Sequence, residues 1–375
     1  MLSSKLFSLF MIIWLSGVRD VDAVSDQCPC LVDSLWLDVI FVVESTEAVS
    51  KVGLQQVELF IETTLMQTTI SPSQLRVGVI TYADEPQIVA DLTTYGSTAE
   101  LMAKLDIPFL GGVVNDAESA LRKATELFQK DHRANVRKVA VLFAASLDTI
   151  ASMPIEIGND FREDGGVLIA IEFVSARGAH VPAIRELASE GYVLSTALEQ
   201  LHSSDLLEAL CDANCYCAAG HYPLSNGTRK TPDGGCFLPS DVAAERDQAA
   251  SACASAHEGA FLPVVNDDQT NDLLFAVNKW SDVQLWLGGK LINGQLQWDN
   301  GVKPKSTAFN PIIHKSTATE ACLYSKQKSD KKIEWFSGDC STPQKFVCQS
   351  APLSSKNRLT MQSHAKYRKL TPKTM

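Results

Sequence analysis

Between Cys30 and Cys211 the chain has no cysteine, although it carries 10 in 375 residues. A gap that long, closed by cysteines at both ends, marks a domain folded on its own hydrophobic core. The cysteines stand at 28, 30, 211, 215, 217, 236, 253, 322, 340 and 348, and none has a zinc-finger partner set. Beyond Leu6–Leu15 there is no long apolar run, and ten residues are too short to span a bilayer, so no transmembrane anchor is expected. His-Glu-x-x-His, Gly-x-Ser-x-Gly and a phosphate loop are all missing, and His257-Glu258 lacks a second histidine. The reading is therefore of no enzyme. A basic excess is missing as well. Net charge is −11, and six of the basic residues lie in the acid-free last 25, which leaves −17 on the body. An acidic body excludes nucleic acid as the partner, and the basic end, 351–375, reads as a disordered tail.

What is present fits an exported globular protein. Hydrophobic residues make up 45% and charged residues 21%, a globular rather than a disordered balance. Met1–Ala23 reads as a signal peptide: Lys5 gives the positive end, Leu6–Leu15 the apolar core, and Val21-Asp22-Ala23 the small-residue cleavage site. In a secreted chain ten cysteines imply five disulfides. Asn226-Gly227-Thr228, in a turn-rich linker, is an N-glycosylation sequon.

From Leu35 to Cys211 strand-like and helix-like segments alternate. Leu35–Val43 is apolar on both faces except for Asp38, the pattern of a strand covered on both sides. Leu54, Val57, Phe60, Ile61 and Leu65 share a helical face. Leu75–Ala83, Val136–Ala145 and Val167–Val174 read as buried strands, and Pro86–Leu92 as an edge strand because of its proline. Asn115 with Glu118 three residues on reads as a helix start. Pro182–Ser189, Tyr192–Ser195 and Leu198–Leu210 complete a βαβα order, which predicts a doubly wound, mostly parallel sheet. After Cys236 come two short helices, Val242–Ala254 and Asp268–Lys279, then short strands punctuated by Trp286, Trp298 and Trp335.

Asp38-Val-Ile-Phe-Val-Val-Glu44-Ser-Thr-Glu-Ala48 resembles the first strand and metal loop of a von Willebrand factor A domain. That family holds a divalent cation with Asp-x-Ser-x-Ser and further oxygens. The resemblance places the ligand positions at Glu44, Thr46, Ala48, Val113 and Ala145. Only Glu44 and Thr46 offer side-chain oxygens there, so no metal is expected, with Glu47, Asp116 and Asp148 as the nearby carboxylates that could substitute.

The carboxyl-terminal half resembles a C-type lectin-like domain. The residues that carry this are Ala249-x-x-x-Cys253, Gly259-x-x-Leu262, Trp286-Leu-Gly288, Glu320-x-Cys322, Trp335-x-x-x-x-Cys340 and Cys348. The resemblance implies disulfides Cys253–Cys348, Cys322–Cys340 and Cys217–Cys236. Cys28 and Cys30 then remain for Cys211 and Cys215, with both pairings open. It also implies calcium positions at Glu320, Phe336 and Ser337, and only the first carries a carboxylate. Phe309-Asn310-Pro311-Ile312-Ile313 has no acid-Pro-amide triplet, so no calcium is expected here either. The three tryptophans are read as core.

The expected organisation is thus a leader (1–23), an α/β A-like domain (24–216), a disulfide-bonded α+β C-type lectin-like domain (217–350) and a basic tail (351–375). It resembles nematode-type secreted proteins that join these two domains, a group associated with extracellular recognition and defence. The expected function is binding of an extracellular protein or glycan, without cofactor. The alternatives are a structural or adhesive matrix component and a calcium-dependent lectin.

Overall fold

The apolar run after Trp36 becomes β1 (Leu37–Glu44), in which every residue is buried. The structure is a computed structural model that describes residues 27–131, 133, 136–146, 153–174, 183–196, 200–225, 231–278, 283–301, 311–328 and 332–354. The expected leader, Asp148, the Asn226 sequon and nearly all of the basic tail lie outside the described residues.

β1 is followed by α1 (Ser50–Leu65), β2 (Arg76–Tyr82), β3 (Pro86–Ala90), α2 (Thr98–Lys104), α3 (Ala117–Lys130), β4 (Arg137–Ala144), α4 (Met153–Glu163), β5 (Val167–Glu172), α5 (Ile184–Leu187), β6 (Val193–Ser195) and α6 (Ser203–Ala213). The strands form one sheet in the order β3-β2-β1-β4-β5-β6. All pairs are parallel except β2–β3, which puts the proline-bearing strand antiparallel at the edge. Alternation along β1 splits its side chains between two cores. Val39, Phe41 and Val43 pack with Leu54, Val57 and Ile61 of α1 and Leu206 and Leu210 of α6. Ile40 and Val42 pack with Leu121, Ala124 and Phe128 of α3 and Phe161 of α4. This is the doubly wound sheet expected from the sequence. Helices α2 and α4 had no counterpart in the sequence reading, and α3 is capped by Asp116, whose carboxylate accepts from Ser119 N (3.0 Å), rather than by Asn115.

Asp38, the polar break in β1, is 3% exposed yet fully paired. Arg76 Nε and Nη2 donate to its two oxygens at 2.8 and 2.7 Å, and Arg133 Nη2 adds a bond of 2.5 Å. A buried carboxylate persists only when it is paired in this way.

The second domain contains β7 (Tyr222–Leu224), β8 (Gly235–Pro239), α7 (Arg246–Ala256), α8 (Asp268–Ala276), β9 (Gln284–Ile292), β10 (Gln295–Trp298), β11 (Ile313–His314), β12 (Glu320–Gln327), β13 (Ile333–Gly338) and β14 (Lys345–Ser350). Helix α7 begins at Arg246, four residues later than expected, because 242–245 form the turn and bridge in which Ala244 pairs with Gln344. Trp286, Trp298 and Trp335 are all buried. Two indoles are satisfied: Trp286 Nε1 donates to Ala244 O (2.9 Å) and Trp335 Nε1 to Asn271 Oδ1 (3.2 Å). Gly288 is required by packing, since a Cβ there would lie 2.2 Å from Leu262 O.

The disulfides are Cys28–Cys215, Cys30–Cys211, Cys217–Cys236, Cys253–Cys348 and Cys322–Cys340. The first two tie both ends of the first domain. Past β14 the chain returns to that domain: Tyr216 and Leu353 exchange backbone hydrogen bonds of 3.0 and 2.7 Å, and Leu353 packs with Trp36 and Val136. Arg137 lies over the Tyr216 ring, 4.9 Å from its centre.

Candidate functional site

In a parallel sheet the loops at the carboxyl ends of the strands converge, and ligands of open α/β sheets bind there. Four segments meet at this end: 44–48 after β1, 83–84 after β2, 108–116 before α3, and 145–146 after β4. Backbone bonds zip them together. Ser45 N donates to Tyr82 O (2.7 Å), Glu47 N to Gly112 O (2.9 Å), Gly111 N to Ser45 O (2.9 Å) and Asp116 N to Ala83 O (3.0 Å). Ser45 Oγ accepts from Leu110 N (2.8 Å) and donates to Pro108 O (3.0 Å). Gly112 is needed here, because a Cβ would come within 2.6 Å of Asp84 Oδ1.

Glu44 sits at the centre, 1% exposed. Its Oε1 accepts from Thr46 Oγ1 (2.6 Å) and Ser146 Oγ (2.5 Å), and its Oε2 from Ala145 N (2.7 Å) and Ser146 N (3.0 Å). Thr46 Oγ1 in turn accepts from Ala48 N (3.2 Å), and Asn115 Nδ2 donates to Ser146 O (2.9 Å). Burial pushes the neighbouring Tyr82 phenol well above its ordinary range, and the Glu44 charge adds to the effect.

The residues present do not fit a divalent cation. Such an ion needs about 6–8 oxygens for calcium, or near-octahedral oxygen order for magnesium. Ala48 and Val113 bring only hydrocarbon, and Val113 points to solvent at 86% exposure. Ala145 presents an N–H donor aimed at Glu44 where an acceptor would be required. Both Glu44 oxygens are engaged by four donors. Asp116 is spent on the α3 cap, and Asp84 accepts from Val114 N at 2.9 Å. The sequence reading named Glu44 and Thr46 but missed Ser146, which supplies two of the four bonds; its only sequence signal is a hydroxyl one residue past a strand end.

The second domain repeats the pattern at its own candidate positions. Glu320 takes Lys290 Nζ at 2.9 Å. Ser337 Oγ accepts from Ser316 N at 2.7 Å. Phe336 is stacked between His314 and Tyr324, with ring centres 4.6 and 5.5 Å away. These rings stand in register across β11, β13 and β12. Glu334, on the same face, pairs with Lys328 (2.7 Å) and His314 (2.8 Å), and the Lys328 bond foremost holds its carboxyl below the usual range. Lys290, Ser316 and His314 had no role in the sequence reading.

Among the described residues no group of three or more His, Cys, Asp or Glu is placed to hold a metal ion. The enclosed gap among Leu121, Ala140, Phe161 and Leu168 is apolar and admits no water. No described helix is long and apolar enough to cross a membrane.

Comparison with known proteins assigns both halves. The von Willebrand factor type A domain family matches residues 38–206, and the C-type lectin domain family matches residues 243–350. The chain is 26% identical over 362 residues to C-type lectin domain-containing protein 160 of Caenorhabditis elegans, covering 87% of this chain and 55% of that protein. It is 24% identical over 184 residues to the collagen alpha-4(VI) chain of Mus musculus, covering 48% of this chain and 8% of that protein. Among solved structures, proximal thread matrix protein 1 from the mussel byssus is similar with a TM-score of 0.41 and 22% identity, over 48% of this chain and 47% of that one. The chain thus spans about half the length of the worm relative and far less of the collagen chain.

Proposed function

We propose that this chain, a von Willebrand factor A domain followed by a C-type lectin domain, is a secreted binding protein that engages an extracellular protein or glycan without a bound metal ion. Domains of these two kinds point to extracellular binding or adhesion, and both families are typically non-enzymatic. Five disulfides are consistent with an oxidising compartment. The observation that carries metal independence is the closed shell around Glu44, which uses the chain's own donors where a cation would otherwise order the loop. The loop face is then preorganised in the free protein, and ligand meets its exposed groups directly: Glu47, Ala48, Val113 and Val114. Lys290 on Glu320 and the His314–Phe336–Tyr324 stack support the same reading for the lectin half.

The test is a binding screen of the purified, disulfide-intact chain against arrays of extracellular proteins and glycans, with and without chelator. Retention that chelator leaves unchanged supports the proposal. Chelator-sensitive retention on mannose or galactose resin, with saturable calcium uptake, would install the calcium-dependent lectin instead. A second reading, an adhesive matrix component, is favoured by the likeness to a collagen VI chain. Open-ended growth in mass and polydispersity by light scattering would support it.

A further inference from the structure

Two histidines of the second domain are held side by side by its disulfides. Cys217–Cys236 fastens the segment before β7 to β8, and Cys253–Cys348 fastens α7 to β14. Strands β8 and β14 are themselves paired, with Leu238 opposite Cys348. His221 stands four residues past Cys217 and His257 four past Cys253, so this frame carries both. Their rings meet edge to face, 5.8 Å between centres and 72° between planes. Both residues are half-buried. Nδ1 of His221 lies 3.4 Å from Ala219 O, and Nδ1 of His257 lies 3.0 Å from Glu258 O. A carbonyl oxygen only accepts, so each Nδ1 is the protonated nitrogen and the neutral ring carries its lone pair on Nε2. His257 is also the C-cap of α7, at the negative end of that helix.

We propose that His221 and His257 are the two protein ligands of a zinc(II) site, bound through Nε2, with water completing the shell. Among the described residues no third His, Cys, Asp or Glu joins them in a group placed to hold an ion. A ligating imidazole characteristically donates its other N–H to a carbonyl or carboxylate, and both rings already do so. Zinc sits ~2.0–2.1 Å from an imidazole nitrogen, hence ~3.2 Å from the ring centre, and two rings about a tetrahedral ion have centres ~5.2 Å apart. The 5.8 Å seen here is a small side-chain rotation away from that spacing. Only a neutral imidazole can ligate, and burial, with the His257 charge adding to it, holds the His221 pKa below its ordinary value. A cation is also favoured beside the carboxyl end of α7. Imidazole pairs select zinc and copper over calcium and magnesium, which seek oxygen. The bound ion would clasp the segment before β7 to the end of α7. This site uses no residue of β12, β13 or the Glu44 shell, so it stands whether or not the metal-independent reading of those faces does.

The experiment uses the full, disulfide-intact chain, purified without a polyhistidine tag and stripped with chelator. It is titrated calorimetrically with zinc chloride, alone and in millimolar calcium. The expected result is saturable zinc uptake that calcium leaves unchanged. His221→Gln and His257→Gln are each expected to weaken it by at least about tenfold, because the second imidazole of a chelate binds intramolecularly. The double variant should lose no more than either single one, since breaking one arm already opens the chelate. His221→Phe keeps a ring against His257 but no nitrogen, so it separates ligation from packing and should bind as poorly as His221→Gln. Near-ultraviolet circular dichroism confirms that each variant is folded. No saturable zinc uptake, uptake displaced by calcium, uptake indifferent to the three single variants, or losses that add in the double variant would each overturn the proposal. Calcium or magnesium uptake by the same protein would count against the metal-independent reading instead.

Discussion

Replacing Glu44 with alanine removes an acceptor from four donors at once. The hydroxyls of Thr46 and Ser146 can rotate, but the amides of Ala145 and Ser146 point where the strand end points them. A buried donor left unsatisfied costs about 1–3 kcal/mol, so two stranded amides cost about 2–6 kcal/mol, reduced as water enters the space of the lost side chain. For a domain of this size each kcal/mol moves the melting temperature by about 2–4 °C, so a fall of roughly 5–15 °C is expected. Glu44→Gln should lose less. Its carbonyl can stay on the two amides while its NH2 faces the hydroxyls, which turn to present lone pairs, and the loss is that of charge-assisted bonds becoming neutral ones.

The assay is melting of the disulfide-intact protein by circular dichroism, in millimolar magnesium and in chelator. The wild-type curve should be the same in both, since an ion present at about 100 times its dissociation constant would add about 2.7 kcal/mol. The expected order is wild type, then Glu44→Gln, then Glu44→Ala. The reasoning is refuted if Glu44→Ala melts with the wild type, or if magnesium raises the wild-type transition and Glu44→Ala abolishes that rise.

Leu353→Asp should loosen the junction between the domains, at a cost of about 1.5–3 kcal/mol of apolar burial, read as faster hydrogen exchange at the Tyr216 amide, which bonds Leu353 O. Burial pushes the Tyr216 phenol up to about 12. Because the folded value is raised, its contribution to stability is complete below the free phenol's pKa of about 10 and is lost as pH rises toward 12. Tyrosinate absorbance should therefore show a late-titrating component that Tyr216→Phe reduces by one phenol, the buried Tyr82 still titrating late. Calorimetry with calcium up to extracellular levels should give no saturable heat, since of the candidate positions Glu320, Phe336 and Ser337 only the first brings a carboxylate; saturable uptake would contradict this.

The fold was legible because its signals are local. The two-sided apolar run of β1, the proline at the sheet edge and the burial of Trp286, Trp298 and Trp335 all follow from periodicity and residue type. Asp38 was visible only as an interruption. Its partners Arg76 and Arg133 lie 38 and 95 positions away, and no local pattern links them. Helix α2 is a short segment with one buried residue, Leu101, too little for a periodic signal. The site was legible by subtraction: missing oxygens at Ala48, Val113 and Ala145 could be read, but what fills their place could not. Ser146 reaches Glu44 across 102 positions, and Lys290 reaches Glu320 only because β9 and β12 are paired.

That substitution bears on why position 44 is a glutamate. The carboxylate at the end of β1 reaches the amides after β4 directly. Glutamate spans that gap: one oxygen meets Ala145 N and Ser146 N, while the other gathers Thr46 and Ser146 hydroxyls. Aspartate is one methylene shorter and would need a mediator. With alanine at 145 there is also no second carboxylate to repel Glu44, so the charge can stay buried on hydrogen bonds alone. Extra length at 44 and a missing charge at 145 therefore compensate each other, and changing either alone should disturb the loop face. On the proposed function, this coupling keeps Val113 and Glu47 presented in a fixed frame at any concentration of divalent ion.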